Sequence, residues 1–138
     1  MATLNRARWR LTLWLGYWLA LFVVMHMPLT KPPAPSIPHL DKATHLVLYF
    51  LLAWLCSSYH RACGRRDDGT LALWAGTFVV YAAVDECLQP LVGRTRSVYD
   101  WTADVVGVLF ATLLSARLNR SRAIGPAMTD PGARVTPS

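Results

Sequence analysis

The chain has 138 residues, enough for one small domain, and 54% of them are hydrophobic while only 16% are charged. A soluble domain carries roughly 25% charged residues, so this composition excludes an ordinary soluble protein and favours a membrane protein. The net charge of +6 does not predict a nucleic-acid partner, because the basic residues bracket apolar runs as they do in membrane proteins.

The first apolar run extends from Leu11 to Thr30 without a charged residue. About 20 apolar residues cross the hydrocarbon core of a bilayer, so we predict a transmembrane helix over residues 11–29. Three arginines precede the run, as in a secretory signal, but the run is long for a signal and no small-residue cleavage site follows it. We therefore predict an uncleaved first span. The proline-rich segment 31–38 is predicted to be an extended loop.

Two further apolar runs follow the proline-rich loop. Asp41 stands where an N-cap belongs, so we predict a second helix over residues 42–60. The polar turn GRRDDG separates it from a third predicted helix over residues 70–91, which carries three polar residues near its end.

The last apolar run predicts a fourth helix over residues 98–118. Ser97 and Asp100, three residues apart, predict a capping box at its start. Residues 119–138 are rich in Gly, Pro, Ser and charge, and we predict a disordered tail. The predicted fold class is therefore all-α: a four-helix transmembrane bundle with short loops, formed by a membrane domain of residues 1–118.

Lysine and arginine are distributed unevenly between the two sides of this predicted bundle. One side, which holds both termini, carries ten of them, and the other carries four: Lys31, Lys42, Arg94 and Arg96. The positive-inside bias therefore predicts that both termini are cytoplasmic and that the loops at residues 31–41 and 92–100 face outward.

Ionisable residues gather near the outward ends of the predicted helices. At about 1.5 Å of rise per residue, this topology places four of them in one shallow layer: His45, Asp85, Glu86 and Asp104. A carboxylate at bilayer depth costs about 2.5–3.5 kcal/mol, so partners are needed, and the candidates are Lys42, His45, Arg94 and Arg96. We favour a polar pocket that holds a ligand, while an ion-pair network that only fastens the bundle stays open.

Helical spacing also groups residues on the fourth helix. One face combines polar and small side chains: Asp100, Asp104, Gly107, Ala111 and Ser115. The small residues predict that another helix approaches closely at this face, and the acids would line the pocket.

The remaining histidines, tyrosines and cysteines receive structural interpretations. We place His26 and His39 at the membrane interface, His60 at a cytoplasmic helix end, and Tyr49 and Tyr81 in the core. The three cysteines lack CxxC spacing and a histidine at finger spacing, so neither a zinc finger nor a cofactor is expected.

Two blocks of the sequence resemble the VanZ-like family of bacterial membrane proteins. They are DKATHLVLYFLL, beginning at Asp41, and YAAVDECLQPLVGRTRSVYDWTADVVG, ending at Gly107. The resemblance covers about residues 11–118 and implies a four-helix protein of the bacterial inner membrane. The family is named for an accessory protein of glycopeptide resistance. Its signature positions correspond here to Asp41, Lys42, His45, Glu86, Gln89, Arg94, Asp100 and Asp104. The family usually has Asn where this chain has Asp104.

Three functions are open at this point. The first is binding of an envelope component, such as a lipid, or of an amphipathic antibiotic, such as a glycopeptide, by the family positions together with Asp85. The second is an enzyme acting on an envelope lipid or a peptidoglycan precursor. Glu86 would be its general acid or base, assisted by His45 and Asp104. Alternatively, paired carboxylates would hold a divalent metal. The third, an ion-coupled carrier, is disfavoured because four helices show no obvious repeat. We expect membrane lipids as partners and no bound metal.

Overall fold

The computed structural model describes residues 2–27 and 40–124, and the regular elements in these ranges are helices. They are α1, Ala2–Met25; α2, Leu40–Ala62; α3, Asp68–Leu88; a short 3-10 helix, Gln89–Val92; and α4, Val98–Ile124. The predicted all-α class with four long helices is confirmed. The predicted proline-rich loop and His39 lie outside the described residues.

The predicted bounds of α1 were wrong by several residues at both ends. The helix begins at Ala2 and includes all three N-terminal arginines, which are good helix formers and need no bilayer. It ends at Met25, and the chain turns at His26.

The bounds of α2 and α3 differ from the prediction for local reasons. Asp41 lies in the first turn of α2, where a negative charge favours the helix dipole, and is not its N-cap. Asp67 caps α3, because its side chain accepts hydrogen bonds from the Thr70 backbone N–H at 2.6 Å and from the Thr70 hydroxyl at 2.9 Å. These two hydrogen bonds lower the pKa of Asp67. At its other end α3 tightens into the 3-10 helix at Pro90, which lacks an N–H.

The prediction that residues 119–138 form a disordered tail was wrong for residues 119–124, which continue α4. Asn119 is buried, and its Nδ2 donates to the Arg66 carbonyl oxygen at 3.2 Å. Arg120 and Asp68 form an exposed ion pair at 2.7 Å. These contacts attach the end of α4 to the turn between α2 and α3. Residues 125–138 lie outside the described residues.

Three helical segments are long and apolar enough to cross a membrane: Leu40–Ala62, Asp68–Val92 and Val98–Ser121. The described part of α1 is not among them, because its apolar portion runs only from Leu11 to Met25. Large apolar side chains are exposed along α3 and α4, among them Val80, Phe110 and Leu113, as expected of a lipid-facing surface. The chain is a helical membrane protein.

The closest helix pair is α2 with α4, and Gly107 is the reason. A Cβ at position 107 would overlap the Leu46 carbonyl oxygen and lie 3.0 Å from the Phe50 backbone nitrogen. The predicted small-and-polar face of α4 is confirmed, since all five of its residues are buried. This close approach brings the first turns of α2 and α4 together and so positions the polar residues described next.

Aromatic side chains join α1 to α3. Trp14 and Trp74 meet edge to face with ring centroids 4.9 Å apart, and Trp18 meets Phe78 at 5.4 Å. These rings belong to the buried core, which also includes Tyr49 and Leu52 of α2. The four helices therefore form one packed bundle.

Candidate functional site

One end of the bundle, called here the polar end, carries most of the candidate residues. It comprises the last turn of α1, the first two turns of α2, the last turn of α3 with the 3-10 helix, and the first two turns of α4. The four helices alternate in direction along the bundle, and this brings these turns to the same level. The candidate residues therefore approach one another although they lie up to 63 positions apart, from Asp41 to Asp104.

The centre of the polar end is formed by three buried side chains from three helices. His45 Nδ1 of α2 lies 3.1 Å from Asp104 Oδ1 of α4, and both residues are fully enclosed. Glu86 of α3 completes the group, because one ligand atom from each of the three residues lies within 4.8 Å of the other two. We call these three residues the central triad.

Glu86 also organises the loop between α3 and α4. Its Oε1 accepts a hydrogen bond from Gln89 Nε2 at 3.1 Å, and its Oε2 accepts one from the Ser97 backbone N–H at 2.8 Å. Ser97 Oγ in turn accepts the Asp100 N–H at 3.2 Å. The predicted capping box is therefore half correct. The Ser97 side chain accepts a hydrogen bond from the Asp100 N–H as predicted, but the Ser97 N–H donates to Glu86 and not to Asp100. The longer Glu86 side chain reaches this N–H from the neighbouring helix.

Asp100 turns toward α2 instead. Its carboxylate lies 3.6 Å from Lys42 Nζ, in a pair that is half exposed on the lysine side. Asp41, His45 and Asp100 form a second group whose ligand atoms lie within 4.8 Å of one another, but Asp41 is exposed. This second group therefore forms the rim of the polar end.

Asp85 is the least satisfied of the buried acids. It is 1% exposed, and neither of its carboxylate oxygens receives a hydrogen bond from the described residues. Its ion-pair partner among the described residues is His26, in the turn after α1, whose Nδ1 lies 3.6 Å from Asp85 Oδ1 and 2.9 Å from the Phe22 carbonyl oxygen. From the sequence, His26 was predicted only to lie at the membrane interface. His26 stands near the end of the first apolar run, and this end was predicted to lie on the same side of the membrane as Asp85. This position could have indicated the pairing.

The four side chains predicted to offset the charge of these acids differ in whether they form ion pairs with them. Lys42 pairs with Asp100, and His45 pairs with Asp104. Arg94 Nη1 instead donates to two carbonyl oxygens at the end of α1, those of Met25 at 3.0 Å and Val24 at 3.4 Å. Arg96 is exposed and forms no ion pair within the described ranges. Arg94 therefore fastens α1 to the loop after α3.

A cavity of about 360 Å³ opens beside the central triad. Four polar residues, Asp41, Thr44, His45 and Arg94, and four apolar residues, Val24, Met25, Met27 and Leu48, line it. His45 is the one residue shared by this cavity and the central triad. His45 therefore connects the buried acids to this cavity.

The buried polar end keeps several oxygens without a described partner. They belong to three acids on the facing helices: Asp85 Oδ1 and Oδ2, Asp100 Oδ1, and Asp104 Oδ2. Buried polar atoms normally have hydrogen-bond partners, and an unmade bond costs about 1–3 kcal/mol. The polar end therefore has an excess of acceptors and is suited to receive a donor or a cation.

Comparisons with protein-family models, with curated proteins and with solved structures found no match to this chain.

Proposed function

We propose that this chain is a VanZ-like protein of the bacterial inner membrane that binds an amphipathic envelope component, or an amphipathic antibiotic such as a glycopeptide, at its outer face. The observation that carries this proposal is the cavity beside the central triad, which is lined by both polar and apolar residues. The distribution of lysine and arginine supports placing the polar end outside and both termini in the cytoplasm.

The polar and the apolar residues that line the cavity suit the two parts of such a ligand. Arg94 Nη1 donates a hydrogen bond to the carbonyl oxygen of Met25 at the end of α1. The guanidinium carries further donors, which suit a phosphate or carboxylate head group. Val24 and Met27 are more than half exposed, so an acyl chain reaching the cavity from the bilayer would contact them first. The head group would then meet His45 and Arg94.

Binding is tested by blocking the cavity without touching the central triad. Thr44→Trp places an indole in the cavity, and Thr77→Trp is its matched control, because both threonines are exposed and bond to the carbonyl four residues earlier. Native mass spectrometry of protein purified from a bacterial host in mild detergent should show a retained lipid in wild type and Thr77→Trp. Thr44→Trp should lose it.

Retention of the same lipid by Thr44→Trp would contradict binding in this cavity. A wild-type chain that retains no lipid and also fails to bind teicoplanin would leave the ion-pair network as the better account of the polar end.

A second function, catalysis on an envelope lipid, is favoured by the His45–Asp104 hydrogen bond. The Asp104 carboxylate orients His45 through its Nδ1, so the other ring nitrogen, Nε2, is left to exchange a proton with a substrate. His45 lines the cavity and Glu86 does not, so the proton-transfer role falls on His45, with Asp104 as its positioning residue.

An enzyme should convert added envelope lipids to a product of new mass, and His45→Gln should abolish conversion while lipid binding persists. Unchanged lipids with wild type would remove this second function.

A further inference from the structure

We propose that the central triad of His45, Glu86 and Asp104 is a binding site for a divalent transition-metal ion. The three residues come from three helices, and all are at least 97% buried. One ligand atom of each lies within 4.8 Å of the other two, so a single ion can contact all three. This proposal goes beyond the proposed function, because it requires no lipid.

A second observation points to a cation here. Asp104 is 0% exposed, yet its Oδ2 has no hydrogen-bond partner among the described residues. Its Oδ1 lies 3.1 Å from the imidazole of His45. The neighbouring Asp85 is also buried, and within residues 2–27 and 40–124 no hydrogen bond of good geometry reaches its oxygens, although the Tyr49 hydroxyl lies near them. A buried carboxylate without a partner is costly, and a bound dication supplies the missing positive charge.

The chemistry of the ligands selects the class of metal. One imidazole nitrogen and two carboxylate oxygens suit Zn²⁺, Mn²⁺ or Fe²⁺, whereas the hard ions Mg²⁺ and Ca²⁺ prefer oxygen alone and Cu(I) prefers thiolates. A metal ion would replace the proton between His45 Nδ1 and Asp104 Oδ1, so that proton is released on binding. Glu86 can ligate while keeping its hydrogen bonds from Gln89 and Ser97, since each carboxylate oxygen has two acceptor positions.

The rim group of Asp41, His45 and Asp100 is the weaker candidate. Asp41 is exposed to solvent, and the charge of Asp100 is already matched by Lys42 at 3.6 Å. The central triad has no described lysine or arginine partner in its ion pairs. The excess of negative charge therefore lies at the central triad.

The test measures metal directly on the full chain in detergent, purified without a histidine tag. Exposed Cys63 and Cys87 are changed to Ser, because free thiols also bind these metals. Equilibrium dialysis against Zn²⁺ or Co²⁺ with elemental analysis should give one ion per chain. Co²⁺ should also produce the visible absorption of an ion in a low-symmetry site.

Three variants make the result specific. His45→Gln should abolish stoichiometric binding, and Asp104→Asn, which keeps the size of the side chain, should weaken it by at least about tenfold. The matched control is His60→Gln, which removes another buried histidine of α2 and should leave binding unchanged. If His45→Gln does not fold, the Asp104→Asn result decides alone.

Absence of a stoichiometric ion in wild type would overturn the proposal. Equal binding by wild type and Asp104→Asn would do the same, because the ion would then lie elsewhere. Thr44→Trp separates this proposal from the proposed function, since it should abolish lipid retention and leave metal binding intact.

Discussion

Glu86 and Asp85 are adjacent in the chain, yet their surroundings differ completely. Both oxygens of Glu86 accept hydrogen bonds, whereas those of Asp85 accept none from the described residues. Neighbouring residues of a helix point about 100° apart, so Glu86 faces the loop before α4 while Asp85 faces His26 in the turn after α1. Glu86 therefore has a structural role in addition to any part in a ligand site, and Asp85 depends on a distant histidine.

Arg94 provides the residue-scale prediction, because it attaches α1 to the rest of the polar end. Arg94→Ala removes two hydrogen bonds from a charged donor to the end of α1, and we expect a loss of about 1.5 kcal/mol in the free energy of unfolding. Arg96→Ala is the control, since this exposed side chain two positions later should change stability by less than about 0.5 kcal/mol. Denaturant titration of the delipidated protein in detergent measures both. Equal losses would show that the Arg94 contacts do not hold α1.

At the scale of elements, the pairing of α2 with α4 positions the central triad. The two backbones lie close together at Gly107, one turn beyond Asp104, where Leu46 and Phe50 leave no space for a side chain. His45 and Asp104 can reach 3.1 Å only because these helices are so near. A separation of the helices would therefore break the hydrogen bond as well as the packing.

Gly107→Ala tests this dependence. The added methyl group would force α2 and α4 apart, and we expect a loss of about 1–3 kcal/mol in stability, larger for Gly107→Val. Gly76→Ala, at an exposed helical glycine with no atom within 4 Å of an added Cβ, should be neutral or stabilise by up to about 1 kcal/mol. Thermal unfolding in the same detergent compares the two. A neutral Gly107→Ala would mean that the helices have room to separate without cost.

At the scale of the whole molecule, the protein divides into two ends with different side chains. The polar end holds the buried acids, and the opposite end holds the helix termini near Arg10, Arg61 and Arg120. Between them lie the aromatic core and the three helical segments that can cross a membrane. This division underlies the proposal that the polar end faces outward.

Accessibility of single cysteines tests this orientation. In a chain whose three native cysteines are replaced by Ser, Thr95→Cys should react with a membrane-impermeant maleimide in intact cells. Arg65→Cys should react only after the membrane is opened, since both positions are exposed but lie at opposite ends. The reverse pattern would place the polar end in the cytoplasm and contradict the proposed outer-face site.

Much of this arrangement was readable from residue types and their spacing. Apolar runs predicted four long helices, because each run is long enough to form a span, and the spacing of Asp104, Gly107 and Ala111 predicted the buried face of α4. Helix ends were predicted less well, because they depend on short-range capping. Asp67 caps α3, so this helix begins before the predicted first residue, Thr70. At the end of α4, Asn119 donates a hydrogen bond to the Arg66 carbonyl oxygen, and the helix continues beyond its predicted end.

The sequence by itself determined which residues are polar within apolar helices, and at what level along each helix they lie, since both follow from composition and the constant rise of a helix. Only the tertiary structure decided which of them touch. His45 meets Asp104, Asp85 meets His26, and Arg94 meets the end of α1. Such pairings depend on helix rotation and on how closely two backbones approach, and these are set by packing between residues far apart in the chain.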